Sequence, residues 1–112
     1  MYHIVCGKGV DQLIEHRVLT IDGKDFQAVT VKLPKTTLLT ISNDRGYIMC
    51  GALDVGLLNN VLADRKIIAG RAVGVKTIEQ LLAAPLESVT LEAESIGIKA
   101  GMVGSDALVK MT

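Results

Sequence analysis

The stretch DRGYIMCGALDVGLL, residues 44–58, contains the point at which the chain changes from strand-like to helix-like patterning. Turn residues followed by the short apolar run YIMC are typical of a strand. After Cys50 the apolar residues recur at intervals of three to five, as expected for one face of a helix over residues 52–65. That face is formed by Leu53, Leu57, Leu58, Val61 and Leu62.

The residues before this stretch predict an antiparallel meander. Asp22 and Gly23 separate VLTID from FQAVTVKL, and Gly with Asn or Asp is what a two-residue hairpin turn demands because its φ angles are positive. Pro34-Lys35 and residues 43–46 mark the next two turns. We therefore predict about four antiparallel strands over residues 16–50. Residues 1–15 are an N-terminal extension whose structure the sequence leaves open.

The second half, residues 51–112, predicts the order β-α-β-α-α-β-α. Residues 67–75, IIAGRAVGV, form the next expected strand, and its small residues at 70, 72 and 74 predict that something packs closely on that side. The roughly fifteen-residue helical connection from YIMC has the size of a crossover between parallel strands.

Capping signals predict the remaining elements. Thr77 and Gln80 fit a capping box that opens the helix TIEQLLAA. Pro85 fits the start of a helix LESVTLEAESI that Gly97 ends, IKAGM is expected as a short strand, and Ser105 as the cap of a last helix. Together the halves predict a single α+β domain, with a mixed sheet that carries helices mainly on one face.

Composition excludes several classes of function. The 112 residues carry twelve basic and twelve acidic side chains, with no long run of like charge, which disfavours binding to nucleic acid or to anionic membranes. Only 3% of residues are aromatic, whereas 49% are hydrophobic and the mean hydropathy is +0.40. We expect so apolar a domain to bury part of its surface between subunits of a homo-oligomer.

No motif indicates a metal or membrane protein. Cys6 and Cys50 form no CxxC pair, and His3 and His16 do not complete a zinc-type spacing, so no metal site or disulfide framework is expected. The first residues, MYHIVCGKG, do not resemble a signal peptide, and no apolar run reaches the ~18 residues of a membrane span. Cytoplasmic residence is the expectation, and no cofactor is indicated.

Cys50 is the first candidate site residue. A helix beginning at Gly51 or Ala52 would place the sulfur beside unpaired amides that favour a thiolate nucleophile. No base is positioned by the sequence, however, and free cysteine is among the most buried residue types, so core packing is the alternative. The same amides of Gly51 are candidates for binding an anion, and Asp54 for a general base or a compensating charge in the first turn.

Arg71 is the second candidate centre. It alternates with Ala69 and Val73 and so points from an apolar face, where a guanidinium must meet a carboxylate, a carbonyl or a bound anion. Asp44, Asp54 and Glu87 are the candidate structural partners. Arg45 is a further candidate for contacting an anion, and Glu87 either faces the site or offsets a helix dipole.

Three blocks, NDRGYIMCGALDV, IIAGRAVGVKTIEQLLAAPLESVT and GIKAGMVGSDAL, together resemble the YunC-like family of small bacterial and archaeal domains of unknown function. The resemblance covers about residues 18–112. It implies an α+β domain whose N-terminal β region is an oligomerisation element, expected to form a tetramer. It transfers no catalytic role to any residue, because the family has no established activity.

The sequence thus favours a homo-oligomeric domain that binds a small anionic metabolite near Cys50, Gly51, Asp54 and Arg71. An enzyme with Cys50 as nucleophile, and a purely structural assembly subunit without a site, are the two alternatives.

Overall fold

The computed structural model describes residues 14–60 and 63–112; predictions for residues 1–13, 61 and 62 lie outside them. Six strands form one sheet in the order of the sequence. They are β1 (Ile14–Ile21), β2 (Lys24–Leu33), β3 (Thr36–Ser42), β4 (Gly46–Met49), β5 (Ile68–Arg71) and β6 (Ser88–Val89). The α-helices are α1 (Val55–Asn60), α2 (Ile78–Ala83), α3 (Leu91–Ser95) and α4 (Gly104–Lys110), with a 3-10 turn at Ala63–Arg65.

The predicted meander is confirmed, and its turns follow from the residues that form them. Asp22 and Gly23 have φ of 54° and 80°, as a tight hairpin between β1 and β2 requires. Lys35, after Pro34, has φ of 66° and links β2 to β3. The side-chain oxygen of Asn43 accepts hydrogen bonds from the backbone N–H of Arg45 and Gly46 and so forms the turn into β4.

The predicted change from antiparallel to parallel pairing is also confirmed. β4 pairs in parallel with β5, and β6 then pairs antiparallel with β5, so the sheet is mixed and the fold class is α+β. The two outer strands among those described differ greatly in length, because β1 has eight residues and β6 only two.

Several element boundaries differ from the prediction. The helix expected over residues 52–65 begins only at Val55, because residues 51 and 52 form a turn in which Leu53 N–H donates to Cys50 O. Leu57, assigned to its apolar face, is 43% exposed. The strand expected over residues 67–75 ends at Arg71, and Gly74 at φ 76° turns the chain away.

The prediction of one long helix after Pro85 is wrong. In its place the chain forms β6 and then α3, held by two bonds to β5: Glu87 N–H donates to Arg71 O and Thr90 N–H to Ala69 O. The predicted strand IKAGM is instead a turn, with Gly101 at φ 93°. The last strand of the sheet is therefore β6, which precedes α3 and α4 in the chain. Val103, and not Ser105, occupies the cap position of α4. Gly97 does end α3, as predicted.

Strand alternation divides the sheet into two faces. The core face carries Phe26, Ala28, Leu39, Ile41 and Ile48, which pack with buried residues of α2, α3 and α4. On this face Gly70 allows the close approach that the sequence predicted, because a Cβ there would lie 2.7 Å from a methyl carbon of Leu86. Gly74 instead borders open space.

The opposite side of the meander also carries apolar residues, which are interspersed with polar ones such as His16, Gln27 and Thr40. We call it the outer face and define it by six residues that the strand register places on one side: Ile14, Val18, Val29, Val31, Leu33 and Leu38. Ile14 and Val18 are each 56% exposed. No helix in the described part of the chain is long and apolar enough to cross a bilayer.

Candidate functional site

A cavity of about 520 Å³ lies where β4 and β5 end. Residues 51–56, Asn59, Arg71, Glu87 and Ser88 line it. The cavity occupies the carboxyl edge of the parallel pair, since β4 ends at Met49 and β5 at Arg71. Ligand sites in sheets with parallel strands are commonly found outside this edge. Of the predicted site residues, Gly51, Asp54, Arg71 and Glu87 are brought together here.

Arg71 is the centre of the cavity's hydrogen-bond network. Its Nε and Nη2 donate to the carbonyl oxygen of Gly51 at 3.2 and 3.1 Å, and its Nη1 donates to Glu87 Oε1 at 3.0 Å. The side chain is 31% exposed, so it is less buried than an interior arginine. One guanidinium therefore ties three segments together: the turn after β4, the end of β5 and the approach to β6. Glu87 is one of the three partners that the sequence suggested.

Glu87 is held as a carboxylate by two donors. The Ser88 hydroxyl donates to Oε1 at 2.7 Å, and the Arg71 guanidinium donates to the same oxygen. The hydrogen bond from Ser88 and the charge and bond of Arg71 lower the pKa of Glu87, against the opposing effect of desolvation. Because Glu87 precedes a strand and not a helix, the dipole explanation proposed from the sequence is wrong.

Asp54 precedes α1 and caps its first turn. Its Oδ1 accepts the backbone N–H of Leu57 at 3.0 Å. Since α1 starts at Val55, the amides of Gly51 and Ala52 belong to a turn and not to a helix. The helix start that was expected to activate Cys50 or to bind an anion through Gly51 is therefore not present at that position.

Cys50 does not line the cavity. It is 5% exposed and packs in the core cluster, on the same side of β4 as Ile48. Its sulfur accepts the backbone N–H of Leu39 at 3.4 Å and lies 3.8 Å from Thr37 O. Of the two interpretations of Cys50 given by the sequence, packing in the core agrees with this environment.

Arg45 lies at the other end of β4. Its Nη1 donates to the backbone oxygen of Thr112 at 2.9 Å. Arg45 directly precedes β4, whereas the cavity lies beyond the last residue of that strand. The structure does not bring it to Arg71.

Two polar side chains of the cavity were not predicted from the sequence. The sequence placed Asn59 only on the polar side of a helix. In the structure its Oδ1 accepts a hydrogen bond from the backbone N–H of Leu91 at 2.9 Å, and its NH₂ group is left to donate to other acceptors. Ser88 was hidden within the wrongly predicted helix. Across residues 14–60 and 63–112, no three His, Cys, Asp or Glu side chains lie close enough to hold a metal ion.

Comparison with known proteins gives a consistent assignment. Residues 49–111 match the model of a domain of unknown function, DUF1805. The chain is 66% identical over 93 residues to the uncharacterized protein YunC of Bacillus subtilis, covering 83% of this chain and 92% of that protein.

A solved structure agrees in fold. The crystal structure of TA1206, a protein of unknown function from Thermoplasma acidophilum, matches with a TM-score of 0.80 and 32% identity, covering 88% of this chain and 93% of that one. With the family model and the YunC match, this likeness leads to one assignment: the chain belongs to the DUF1805 family of YunC-like proteins of unknown function.

Proposed function

We propose that this chain is a cytoplasmic, homo-oligomeric binding domain that holds a small anionic metabolite in the cavity beside Arg71. The observation that carries the proposal is the cavity itself, at the carboxyl edge of the parallel strands and with an arginine in its wall. Its volume of about 520 Å³ falls in the range typical of small-molecule sites, roughly 300–1,000 Å³.

The guanidinium retains hydrogen-bonding capacity. Arginine has five N–H groups, and the bonds to Gly51 and Glu87 use three of them. One N–H remains on each of Nη1 and Nη2, and charged N–H donors of this kind suit a carboxylate or a phosphate. The bonds already made fix the plane of the guanidinium before a ligand arrives, which reduces the entropy lost on binding.

A thermal-shift screen of anionic metabolites tests the ligand proposal. We expect at least one compound to stabilise the wild-type protein and to lose that effect in Arg71→Ala. Arg71→Lys keeps the charge but removes the planar guanidinium and its fixed donors, so it should bind more weakly than wild type. Arg45→Ala is the matched control, since this arginine lies at the opposite end of β4 and should leave binding unchanged. Stabilisation that Arg71→Ala retains would contradict the proposal.

The outer face and the strand β1 support self-association. Among the described strands, β1 lies at one edge of the sheet, and its eight residues pair with β2 on one side only. Near this edge lie Ile14, Val18 and Leu33, the exposed apolar residues of the outer face. Edge pairing joins two sheets and burial of the outer face joins two such pairs, which gives the tetramer implied by the family resemblance.

Sedimentation velocity tests the assembly. We expect Val18→Lys to shift the protein toward smaller species, because it places a charge in the proposed contact. Leu91→Lys is the control: Leu91 is 63% exposed but lies at the start of α3, away from the meander. A wild-type protein that sediments as a monomer at micromolar concentration would refute this part of the proposal.

The two alternatives have less support. A nucleophilic role for Cys50 requires a ligand to reach a sulfur that is buried among core residues. A purely structural subunit is the conclusion to draw if the ligand screen finds nothing and the assembly test succeeds.

A further inference from the structure

The charges that line the cavity do not suit a simple anion. Arg71 supplies one positive charge, whereas Asp54 and Glu87 supply two negative ones. An acid without a donor group would gain the two N–H groups of Arg71 but would also lie near two carboxylates. Like charges brought together repel, and this repulsion is a usual means of rejecting a wrong ligand.

Each carboxylate has one oxygen committed to the protein and one that is not. Asp54 uses Oδ1 to cap α1, and Glu87 uses Oε1 for Arg71 and Ser88. Asp54 Oδ2 and Glu87 Oε2 accept no hydrogen bond from any described residue. Both carboxylates belong to residues that line the cavity, and the side-chain donors there are the remaining N–H groups of Arg71 and the NH₂ group of Asn59.

We infer that the ligand of this cavity is zwitterionic: a carboxylate or phosphate that binds Arg71 and, on the same small molecule, a protonated amine that binds the free oxygens of Asp54 and Glu87. The inference rests on the proposed function and names the class of its ligand. Such a ligand balances both signs of charge in the wall, and each ionic group meets a partner that is already fixed by bonds to the protein.

Three pairs of compounds that differ in the amine test this inference by calorimetry: L-serine with glycerate, L-glutamate with glutarate, and phosphoethanolamine with ethyl phosphate. We expect at least one aminated compound to bind the wild-type protein tenfold or more tightly than its partner. In Asp54→Asn and Glu87→Gln this preference should fall by a factor of about three to ten. Both variants keep an oxygen that can accept the same hydrogen bonds from the protein, so we expect the fold to be preserved.

Arg71→Lys should instead weaken both members of a pair. Glu94→Gln is the matched control, because Glu94 is an exposed residue of α3 outside the cavity. If the amine-free acids bind as tightly as the aminated compounds, in an Arg71-dependent way, the zwitterion inference is overturned and the proposed function stands. If no compound of either kind binds through Arg71, both are overturned.

Discussion

Replacement of Gly104 by alanine tests how closely α4 packs on the rest of the molecule. A Cβ at this position would lie 2.4 Å from the carbonyl oxygen of Leu81 and 3.0 Å from Ile48 Cδ1, and Cβ contacts below 3.0 Å are essentially never seen. The nearest obstacle is the backbone of α2, which cannot rotate away as a side chain can. One helix must therefore move from the other.

The size of the effect follows from two opposing terms. Overpacking a core costs about 1–3 kcal/mol, whereas Gly→Ala in a helix gains at most about 1 kcal/mol. We expect a net loss of about 2 kcal/mol, which corresponds to a decrease in Tm of roughly 8 °C for a domain of this size. Gly70→Ala should cost less, because its obstacle is the movable side chain of Leu86.

Gly51→Ala is the control. Its nearest neighbours would be 3.6 Å away, an ordinary contact, so the change should be close to neutral. Thermal and urea unfolding of the four proteins gives their order of stability. The protein concentration is held fixed, because the proposed self-association would make Tm depend on it. A Gly104→Ala protein as stable as wild type, or more stable, would refute the packing argument.

Three further predictions concern Thr90, Cys50 and Glu87. Thr90 Oγ1 accepts from the N–H of Ala69 and of Ala93 and donates to Ile67 O, so Thr90→Val should lower the free energy of unfolding by about 3 kcal/mol in urea titrations. Thr90→Ser should restore most of it, and an equally stable valine variant would disprove the role of the hydroxyl. Cys50 in a Cys6→Ser background should react with iodoacetamide only after denaturation; rapid labelling of the folded protein at pH 7 would show that the sulfur is accessible. The lowered pKa of Glu87 means that its contribution to stability is complete above its ordinary value of 4.5 and is lost as the pH falls below it. Glu87→Gln should therefore be less sensitive than wild type to acid in this range, with Glu94→Gln unchanged, and identical acid unfolding curves would count against the pairing.

The sequence predicts those parts of the fold that depend on local signals. Positive φ at Asp22 and Gly23 is a property of two adjacent residues, and the parallel pairing of β4 with β5 follows from the length of one connection. β6 was missed because it is fixed by bonds to Ala69 and Arg71 that no local pattern encodes. Pro85 followed by acidic and apolar residues has the same appearance as the start of a helix.

The candidate site was predictable to a similar extent. The alternation of β5 indicated that Arg71 needs a partner, and Glu87 was among the candidates. The orientation of Cys50 follows from strand parity with Ile48, because the predicted strand YIMC contains both residues and places them on the same side. Asn59 lies at the cavity because α1 is short and begins at Val55, three residues later than predicted. The spacing of the leucines in α1 indicates neither its length nor its first residue.

The unequal edges of the sheet bear on how far an assembly of this chain can grow. Of the strands described, only β1 is long enough to template another strand, while β6 offers two residues. If two copies pair through β1 about a twofold axis, each uses the same surface, and the joined sheet ends in β6 on both sides. Neither end can recruit a third copy by the same contact. Association through this edge would therefore give a closed particle and not a filament, although β1 is largely exposed and half of its eight residues are apolar.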